Sequence, residues 1–465
     1  MRSIRDLLLV QSLARSGSVR TVAVFLASTA MLFAGFCGNI WRTAKPEQFD
    51  AFQIGWESFI VGRMLKTKAD GLFSAGGLTG LAGPEADPPN TDNPNYRFQY
   101  QAYRESLPIQ SYAAYKSQPG GQGMLFGALD GLLPLAPDDK LALFHGLTSL
   151  LSAAVLGILI AWLYREFGWA AGLAALAGTL LSQWLTLFGR NLWWSIWAFF
   201  LPMLIVLRCV NRAGDLRKLS PVRFGAVVFL AVLVKCFFNG YEYVTTTLVM
   251  MVCPFVYRSA AQRIGWKPFL RGLASAVVAS VLAVLASMTV LCLQISAVEG
   301  NFAAGIDHIV FSLLRRSYAD SSFFPPDYAA SLNANVLDVA GYYLREIYFD
   351  LNYYLRAPND WIANFLFQFR YLYLIAIFAA ASAAFWFLTH RNADRELRDR
   401  GRGLIAALWF SLLAPLSWFV IFKAHSYVHT FLNDIVWQMP FTILGFAMCG
   451  LTLRGLWGIR RRRAD

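Results

Sequence analysis

Apolar runs long enough to cross a bilayer constrain this chain more than any other feature of its sequence. A spanning helix needs about 20 predominantly apolar residues. About ten runs come close to that length, at 21–41, 141–163, 168–188, 191–208, 222–238, 242–257, 270–294, 370–389, 403–422 and 435–453. The sequence therefore predicts an all-α, polytopic membrane protein with about ten transmembrane helices.

The composition supports a membrane protein and argues against a nucleic-acid partner. Of the 465 residues, 57% are apolar and 15% are charged, whereas soluble domains average about 25% charged residues. The formal net charge is +13, but the cations punctuate the apolar runs and do not share one soluble surface. The six cysteines lie in or beside apolar runs without metal-binding spacing, which predicts no disulfide framework.

Basic residues predict the orientation of the chain. They are concentrated before the first apolar run and in every second connection after it. Short connections rich in Lys and Arg stay in the cytoplasm, so both termini are predicted to be cytoplasmic. The predicted organisation is a cytoplasmic lead-in at 1–20, a transmembrane module at 21–294 with a first external loop at 42–140, a second external loop at 295–369, C-terminal transmembrane helices at 370–453 and a basic cytoplasmic tail at 454–465.

The two long loops are predicted to contain short amphipathic helices that lie along the membrane. Residues 99–133 and 307–332 mix apolar and charged positions in pieces too short to span a bilayer. Neither loop is long or apolar enough to form a separate soluble domain.

Two carboxylates in the first long loop are candidate catalytic groups. Asp50 and Glu57 are seven residues apart, about two helical turns or roughly 10 Å, which would place them on one face of a helix. A carboxylate can serve as the general base that activates an acceptor hydroxyl. Asp50 is the first candidate for this role and Glu57 the second.

Ionisable residues beside the short external turns are candidate binding groups. Such residues are costly at membrane depth unless they are paired or functional; the alternative is that each extends to the interface. Cations here can neutralise a lipid phosphate as it leaves. The candidate phosphate-binding residues are Arg190, Lys235 and Lys423, and the candidate contacts for sugar or acceptor are Tyr241, Glu242, His425 and His429.

His425 and His429 leave the question of a cofactor open. Their i, i+4 spacing would suit a metal ion, but hydrogen bonds to a sugar or phosphate are favoured over a metal, and the two rings could also simply be interfacial residues. A third ligand would have to come from Asp434 or Asp50, and no HExxH arrangement is present. No cofactor is therefore predicted, and a divalent metal stays an option. Nucleotide-binding and serine-hydrolase motifs are absent, which agrees with a lipid-linked donor.

Three features of the first 260 residues or so resemble the GT-C class of membrane glycosyltransferases. They are a first span followed by a long loop that opens on an acidic residue, the segment KSQPGGQGMLFGALDGL (116–132), and the segment LFGRNLWWSIWAFFLPMLIVL (187–207). The last two are similar to parts of polyprenyl-phosphate-dependent mannosyl- and aminoarabinosyltransferases. The resemblance implies that Asp50 is the catalytic carboxylate and that Arg190 contacts the donor phosphate.

The resulting hypothesis is an inverting glycosyltransferase. It would move a sugar from a polyprenyl phosphate to an acceptor glycan or lipid, on the periplasmic face of a bacterial inner (plasma) membrane. One alternative is a transporter or flippase of a glycolipid or lipid phosphate. Another is a polymerase or ligase of surface polysaccharide, which would use arginines of the second long loop, namely Arg315, Arg316, Arg345, Arg356 and Arg370.

Overall fold

The structure is a computed structural model that describes residues 4–89, 95–355, 361–392 and 395–464. Within these residues it is almost entirely helical, which confirms the predicted all-α, polytopic class. Eight helices are long and apolar enough to cross a membrane: Ser18–Gly38, Pro137–Phe167, Ile196–Ala213, Pro221–Asn239, Val244–Gln262, Trp266–Glu299, Tyr371–Thr389 and Arg395–Ile421.

Two of the ten predicted spans differ from a simple long helix. The predicted span at 168–188 is a pair of helices, Trp169–Leu181 and Gln183–Gly189, bent by 71°. Ser182 lies at the break in extended conformation, and its hydroxyl accepts a hydrogen bond from the backbone N–H of Leu185, so it caps the second helix. The predicted span at 435–453 begins as a 3-10 helix, and its apolar helix, Phe441–Trp457, is shorter than the others.

The first span and the first long loop contain, in chain order, α1 (Ile4–Gly38), α2 (Pro46–Asp70), a 3-10 turn (Ser74–Gly77), β1 (Gly80–Gly83), α3 (Tyr96–Glu105), β2 (Ser111–Ala114) and α4 (Gly121–Leu132). The helices and strands of the loop pack around α2, whereas the first span packs on the helix Pro137–Phe167. β1 and β2 pair antiparallel. Gly62 permits the close approach of α2 to β1, because a Cβ there would lie 2.2 Å from the carbonyl oxygen of Gly80.

Arg63 organises the end of α2. Its side chain is completely buried, and its guanidinium donates to the carbonyl oxygens of Ser74 (2.6 Å), Gly71 (3.3 Å) and Leu72. These carbonyls belong to the turn that leads from α2 towards β1. A buried cation surrounded by carbonyl oxygens keeps its charge solvated by the protein, so Arg63 fixes the path of the chain through the loop.

The helices between the two long loops are α5 (Pro137–Phe167), α6 (Trp169–Leu181), α7 (Gln183–Gly189), α8 (Ile196–Ala213), α9 (Pro221–Asn239), α10 (Val244–Gln262) and α11 (Trp266–Glu299), with a 3-10 turn at Leu216–Lys218. Helix α1 packs on α5, and α11 packs on α9. All six cysteines of the chain are free.

The second long loop contains α12 (Phe302–Arg316), α13 (Ala329–Leu332), α14 (Val336–Arg345), β3 (Ile347–Asp350), α15 (Leu351–Leu355), α16 (Trp361–Phe367) and β4 (Gln368–Arg370), with 3-10 turns at Ser321–Phe323 and Pro326–Tyr328. The chain ends with α17 (Tyr371–Asn392), α18 (Arg395–Ser411), α19 (Leu413–Ile421), α20 (Lys423–Val428), a 3-10 helix (Asn433–Gln438) and α21 (Phe441–Ala464). Arg356, one of the arginines in the polymerase hypothesis, lies outside the described residues.

Candidate functional site

A cavity of about 680 Å³ lies where the two long loops meet α20. We call it the polar chamber. Three parts of the chain form its wall: the first long loop, the end of α12 with the turns that follow it, and α20. Its lining includes Trp56, Phe59, Tyr96, Tyr115, Lys116, His308, Arg315, Arg316, Tyr328, His425 and His429.

Three cations face the polar chamber, and two of them have no ion-pair partner among the described residues. Arg315 donates to the Tyr328 hydroxyl at 3.1 Å, and Arg316 donates to the Tyr115 hydroxyl at 3.5 Å. Lys116 forms a partly exposed ion pair with Glu299. Because phenol hydroxyls leave the guanidinium charges unneutralised, the chamber carries a net positive charge that suits an anion.

Three imidazoles share the chamber with these cations, namely His308 on α12 and the neighbouring pair His425 and His429. The ring centroids of His425 and His429 are 4.6 Å apart. Burial, together with the charges of Arg315 and Arg316, lowers the pKa of His429 to about 4 and holds the pKa of His425 well below its usual value. Both rings are therefore neutral at neutral pH. Within the described residues neither ring nitrogen Nδ1 has a hydrogen-bond partner.

A smaller apolar cavity of about 100 Å³ continues from the chamber. We call it the apolar arm. It lies among residues of α11, α12, α19 and the start of α10, and its lining includes Val244, Val284, Met288, Leu291, Ile309, Leu313, Trp418 and Phe422. The arm and the chamber have Lys116, Ser117, His308, Arg316 and His425 in common. The cations thus lie at the junction between an apolar space and a polar one.

Tyr241 and Glu242 line the apolar arm. A hydrogen bond of 3.3 Å joins the hydroxyl groups of Tyr241 and Ser287. Glu242 accepts a hydrogen bond from the Trp194 indole N–H at 2.7 Å. Burial raises the pKa of Glu242, although the Arg316 charge opposes that rise. Of the nine residues predicted for the site, four line these cavities: Tyr241, Glu242, His425 and His429.

Aromatic side chains of the first long loop form another part of the chamber wall. The Phe59 and Tyr115 ring centroids are 5.1 Å apart, and both rings lie 5.4 Å from Trp193. Trp56 meets His429 edge-on, with 6.0 Å between their centroids. Flat aromatic surfaces beside polar groups are suited to the faces of sugar rings.

Glu57 lies behind this aromatic wall and lines neither cavity. It is completely buried and accepts hydrogen bonds from the Tyr100 hydroxyl (2.8 Å) and the Leu192 backbone N–H (3.0 Å), with His145 Nε2 at 2.7 Å. Burial alone would raise the pKa of Glu57, but His145 and the hydrogen bonds hold it below its usual value. The carboxylate joins α2, α3, α5 and the turn before α8.

Asp50 and Arg190 also line neither cavity. Asp50 is exposed in the first turns of α2. Arg190 donates to the Cys37 carbonyl at 2.9 Å, and its guanidinium lies 4.9 Å from the centre of the Phe49 ring. These contacts attach the end of α7 to the end of α1 and the start of α2.

Lys235 and Lys423 are buried and bind backbone carbonyl oxygens. Lys235 donates to Gly240 (2.8 Å) and Glu242 (2.6 Å), across the turn that follows α9. Lys423 donates to Leu332 and Ala334, at 2.7 Å each, and so joins α20 to the second long loop. Neither ammonium group lines the two cavities.

Among the chamber residues that were not chosen from the sequence are three cations and one imidazole: Lys116, Arg315, Arg316 and His308. Lys116 opens the segment 116–132 that carries the family resemblance, and the adjacent arginines end an amphipathic helix. Consecutive cations at the end of such a helix are the signal that pointed to them, although the sequence linked them only with the polymerase hypothesis.

The described residues contain no group of three or more His, Cys, Asp or Glu side chains placed to hold a metal ion. Asp434, a suggested third ligand, is buried, and burial raises its pKa well above the usual value. Its carboxylate has no hydrogen-bond partner among the described residues, and it lines neither cavity.

No family model and no curated protein matches this chain. The resemblance to GT-C glycosyltransferases therefore stays a prediction from the sequence.

Proposed function

We propose that this protein is a membrane glycosyltransferase of GT-C type that takes its sugar from a polyprenyl phosphate. The observation that carries the proposal is the junction of the polar chamber with the apolar arm, where Lys116 and Arg316 face both spaces. A polyprenyl-phosphate sugar has the same sequence of parts: an apolar chain, an anionic phosphate and a polar ring.

Charge supports the placement of the phosphate at this junction. Among the described residues the hydrogen bonds of Arg315 and Arg316 go to phenol hydroxyls, so a bound anion would meet guanidinium groups that no carboxylate contacts directly. Guanidinium groups bind phosphate oxygens through charge-assisted hydrogen bonds, which are about twice as strong as neutral ones. The same groups would stabilise the phosphate as a leaving group.

The remaining walls suit the other two parts of the donor. Val284, Met288 and Leu291, on the spanning helix α11, would contact the start of the polyprenyl chain. The chamber is large enough, at about 680 Å³, for a monosaccharide beside an acceptor hydroxyl. Trp56 and Phe59 offer ring faces to the sugar.

Direct reconstitution tests the proposal. Purified full-length protein in proteoliposomes is mixed with a panel of polyprenyl-phosphate monosaccharides, and the melting temperature is measured. A ligand that binds only the folded protein raises this temperature. Membrane-extracted glycans and lipids are then added as a mixture of acceptors, and the release of free polyprenyl phosphate measures transfer to whichever of them accepts the sugar.

Arg316→Ala provides the decisive comparison. Loss of one charge-assisted hydrogen bond, about 1.5–3 kcal/mol, should weaken donor binding about 10- to 100-fold. The matched control is Arg345→Ala, since Arg345 is an exposed arginine of the same long loop that lines neither cavity. Stabilisation by no monophosphate donor, or an equal loss in both variants, would contradict the proposal.

A lipid-phosphate transporter is the second candidate. Its favouring observation is that neither Asp50 nor Glu57, the carboxylates proposed for catalysis, lines the polar chamber. The same proteoliposomes separate the two functions: a transporter moves labelled lipid phosphate between leaflets and leaves the glycosidic bond intact. Preference for a diphosphate-linked glycan over every monophosphate sugar would favour the polymerase or ligase instead.

A further inference from the structure

We propose that the imidazole of His429 is the general base that takes the proton from the acceptor hydroxyl. The inference rests on the proposed transferase function and assigns the proton acceptor within it. It differs from the expectation drawn from the family resemblance, which gave that role to Asp50.

The first step is the direction in which the donor lies. With the polyprenyl chain in the apolar arm and the phosphate at Arg316, the sugar extends into the polar chamber. The anomeric carbon and the attacking hydroxyl are then on the chamber side of the phosphate. Glu242, the one carboxylate among the described residues that line either cavity, faces the apolar arm and so lies on the lipid side.

The second step is the position of the three imidazoles. His308 and His425 line both spaces, at the junction, whereas His429 lines the polar chamber alone. The ring of His429 is held between Trp56, at 6.0 Å, and Phe431, at 5.9 Å between centroids. The ring lines the polar chamber, but its Nδ1 is buried and has no hydrogen-bond partner among the described residues. Nε2 is therefore the nitrogen that can offer a lone pair to a substrate hydroxyl.

The third step is the charge around His429. Arg315 and Arg316 face it from α12, Lys116 lines the same chamber from the first long loop, and His425 is its neighbour in α20. From α14, the uncharged Tyr343 hydroxyl contacts the backbone carbonyl of His429 at 3.5 Å. Before a donor binds, these cations keep the imidazole unprotonated at neutral pH, which is the form a base requires.

Donor binding opposes the effect of these cations on the pKa of His429. A phosphate at Arg316 brings negative charge near His429 and offsets the cations, which raises the affinity of the ring for a proton. In the transfer step the bond between the anomeric carbon and the phosphate oxygen breaks and its electron pair leaves with the phosphate. The acceptor oxygen bonds to the anomeric carbon, and its proton passes to His429, which later releases it to water.

The experiment compares His429→Gln with the parent in the polyprenyl phosphate release assay. Loss of a general base should lower kcat by about 10²- to 10⁴-fold, while the KM for the donor and the stabilisation by it stay within about threefold. The acid limb of the pH–rate profile should disappear. In His429→Ala, added imidazole should restore part of the rate. Tyr427→Ala, an exposed neighbour on α20 that lines neither cavity, is the matched control.

The outcomes separate this inference from the function on which it rests. A parent that binds no donor or releases no polyprenyl phosphate overturns the transferase itself. An active parent whose His429→Gln variant keeps its kcat and acid limb overturns only the base. The same holds if His429→Gln loses donor binding, because His429 would then be a binding residue. Loss of transfer in Asp50→Asn, with full activity in His429→Gln, returns the role to Asp50.

Discussion

Two groups of cations on the side of the long loops differ in what their charges bind. Lys235 and Lys423 are buried, and each donates to two backbone carbonyl oxygens of a neighbouring turn. Arg315 and Arg316 are half-buried and donate to tyrosine hydroxyls at the edge of a cavity. The lysines therefore hold the chain in place, whereas the arginines keep donor capacity for a ligand.

The difference shows that the place of a cation in the sequence does not reveal what the cation does. Lys235 and Lys423 lie at span ends, where a charge is costly unless it is paired or functional, whereas Arg315 and Arg316 end α12 in the second long loop. Carbonyl oxygens solvate the lysine charges within the protein, so those charges serve the fold. The arginines stay incompletely paired, which is tolerable because the chamber is open to water or a charged ligand.

Removing a lysine should give the largest effect on stability. Lys423→Met leaves the carbonyls of Leu332 and Ala334 without their donor and should lower the free energy of unfolding by about 3 kcal/mol. Thermal unfolding in detergent measures the loss. Lys45→Met, at a lysine before α2 whose side chain makes no cap hydrogen bond, should leave the melting temperature within about 1 °C. Equal stability of the two variants would contradict the conclusion that the carbonyl contacts of Lys423 stabilise the fold.

Two carboxylates of α2 differ in the same way, because Glu57 is buried and hydrogen-bonded whereas Asp50 is exposed. Glu57→Gln weakens three buried contacts and should cost about 2 kcal/mol, whereas Asp50→Asn, at an exposed position, should leave stability unchanged. Because the folded-state pKa of Glu57 is lowered, its stabilising contribution is present above its unfolded pKa and is lost as the pH falls through the folded value. Unfolding measured from pH 7 to pH 4 should therefore show a shallower slope in Glu57→Gln.

Arg316→Gln should separate binding from stability most clearly. Without ligand, the variant should unfold within about 0.5 kcal/mol of the parent, as surface-like substitutions do. With a polyprenyl-phosphate sugar, its stabilisation should be much smaller than that of the parent. Melting curves with and without donor measure both quantities. A large loss of stability in the ligand-free protein would show that Arg316 belongs with the lysines.

The smallest expected effect is the pH dependence contributed by His429. Its folded pKa of about 4 lies below the unfolded value of about 6.5, so the unfolded chain binds a proton that the folded one does not. Stability should therefore fall as the pH drops from about 6.5 towards 4. His429→Gln should reduce that slope, whereas Tyr427→Ala should leave it unchanged. Chemical unfolding at several pH values between neutrality and the folded pKa measures the difference.

Much of the fold could be predicted because long apolar runs indicate directly which segments can cross a lipid bilayer. Eight helices of sufficient length agree with the predicted runs. The break at Ser182 could not be predicted in the same way, because serine is common in membrane helices and only its contact with Leu185 defines it as a cap. The orientation of the termini and the cellular membrane stay predictions.

Site residues could be predicted only where a polar side chain at a span end also lines a cavity. Tyr241, Glu242, His425 and His429 are polar groups at span ends, and they line the cavities. Glu57 has the same local appearance, but residues 43, 88 and 135 positions away in the sequence bind its carboxylate. Such long-range partners decide whether a charged side chain stabilises the fold or faces a cavity, and the local sequence does not identify them.

Arg63 has a consequence for how fast and how tightly a ligand can bind. Its carbonyl contacts order the turn after α2 and thereby the strand pair from which Tyr115 and Lys116 follow. A wall that is already ordered loses little conformational entropy on association. Amide hydrogen exchange in residues 71–78 should accordingly be slow before any ligand is added and change little afterwards, and the association rate should depend on diffusion into the chamber and not on folding of the loop.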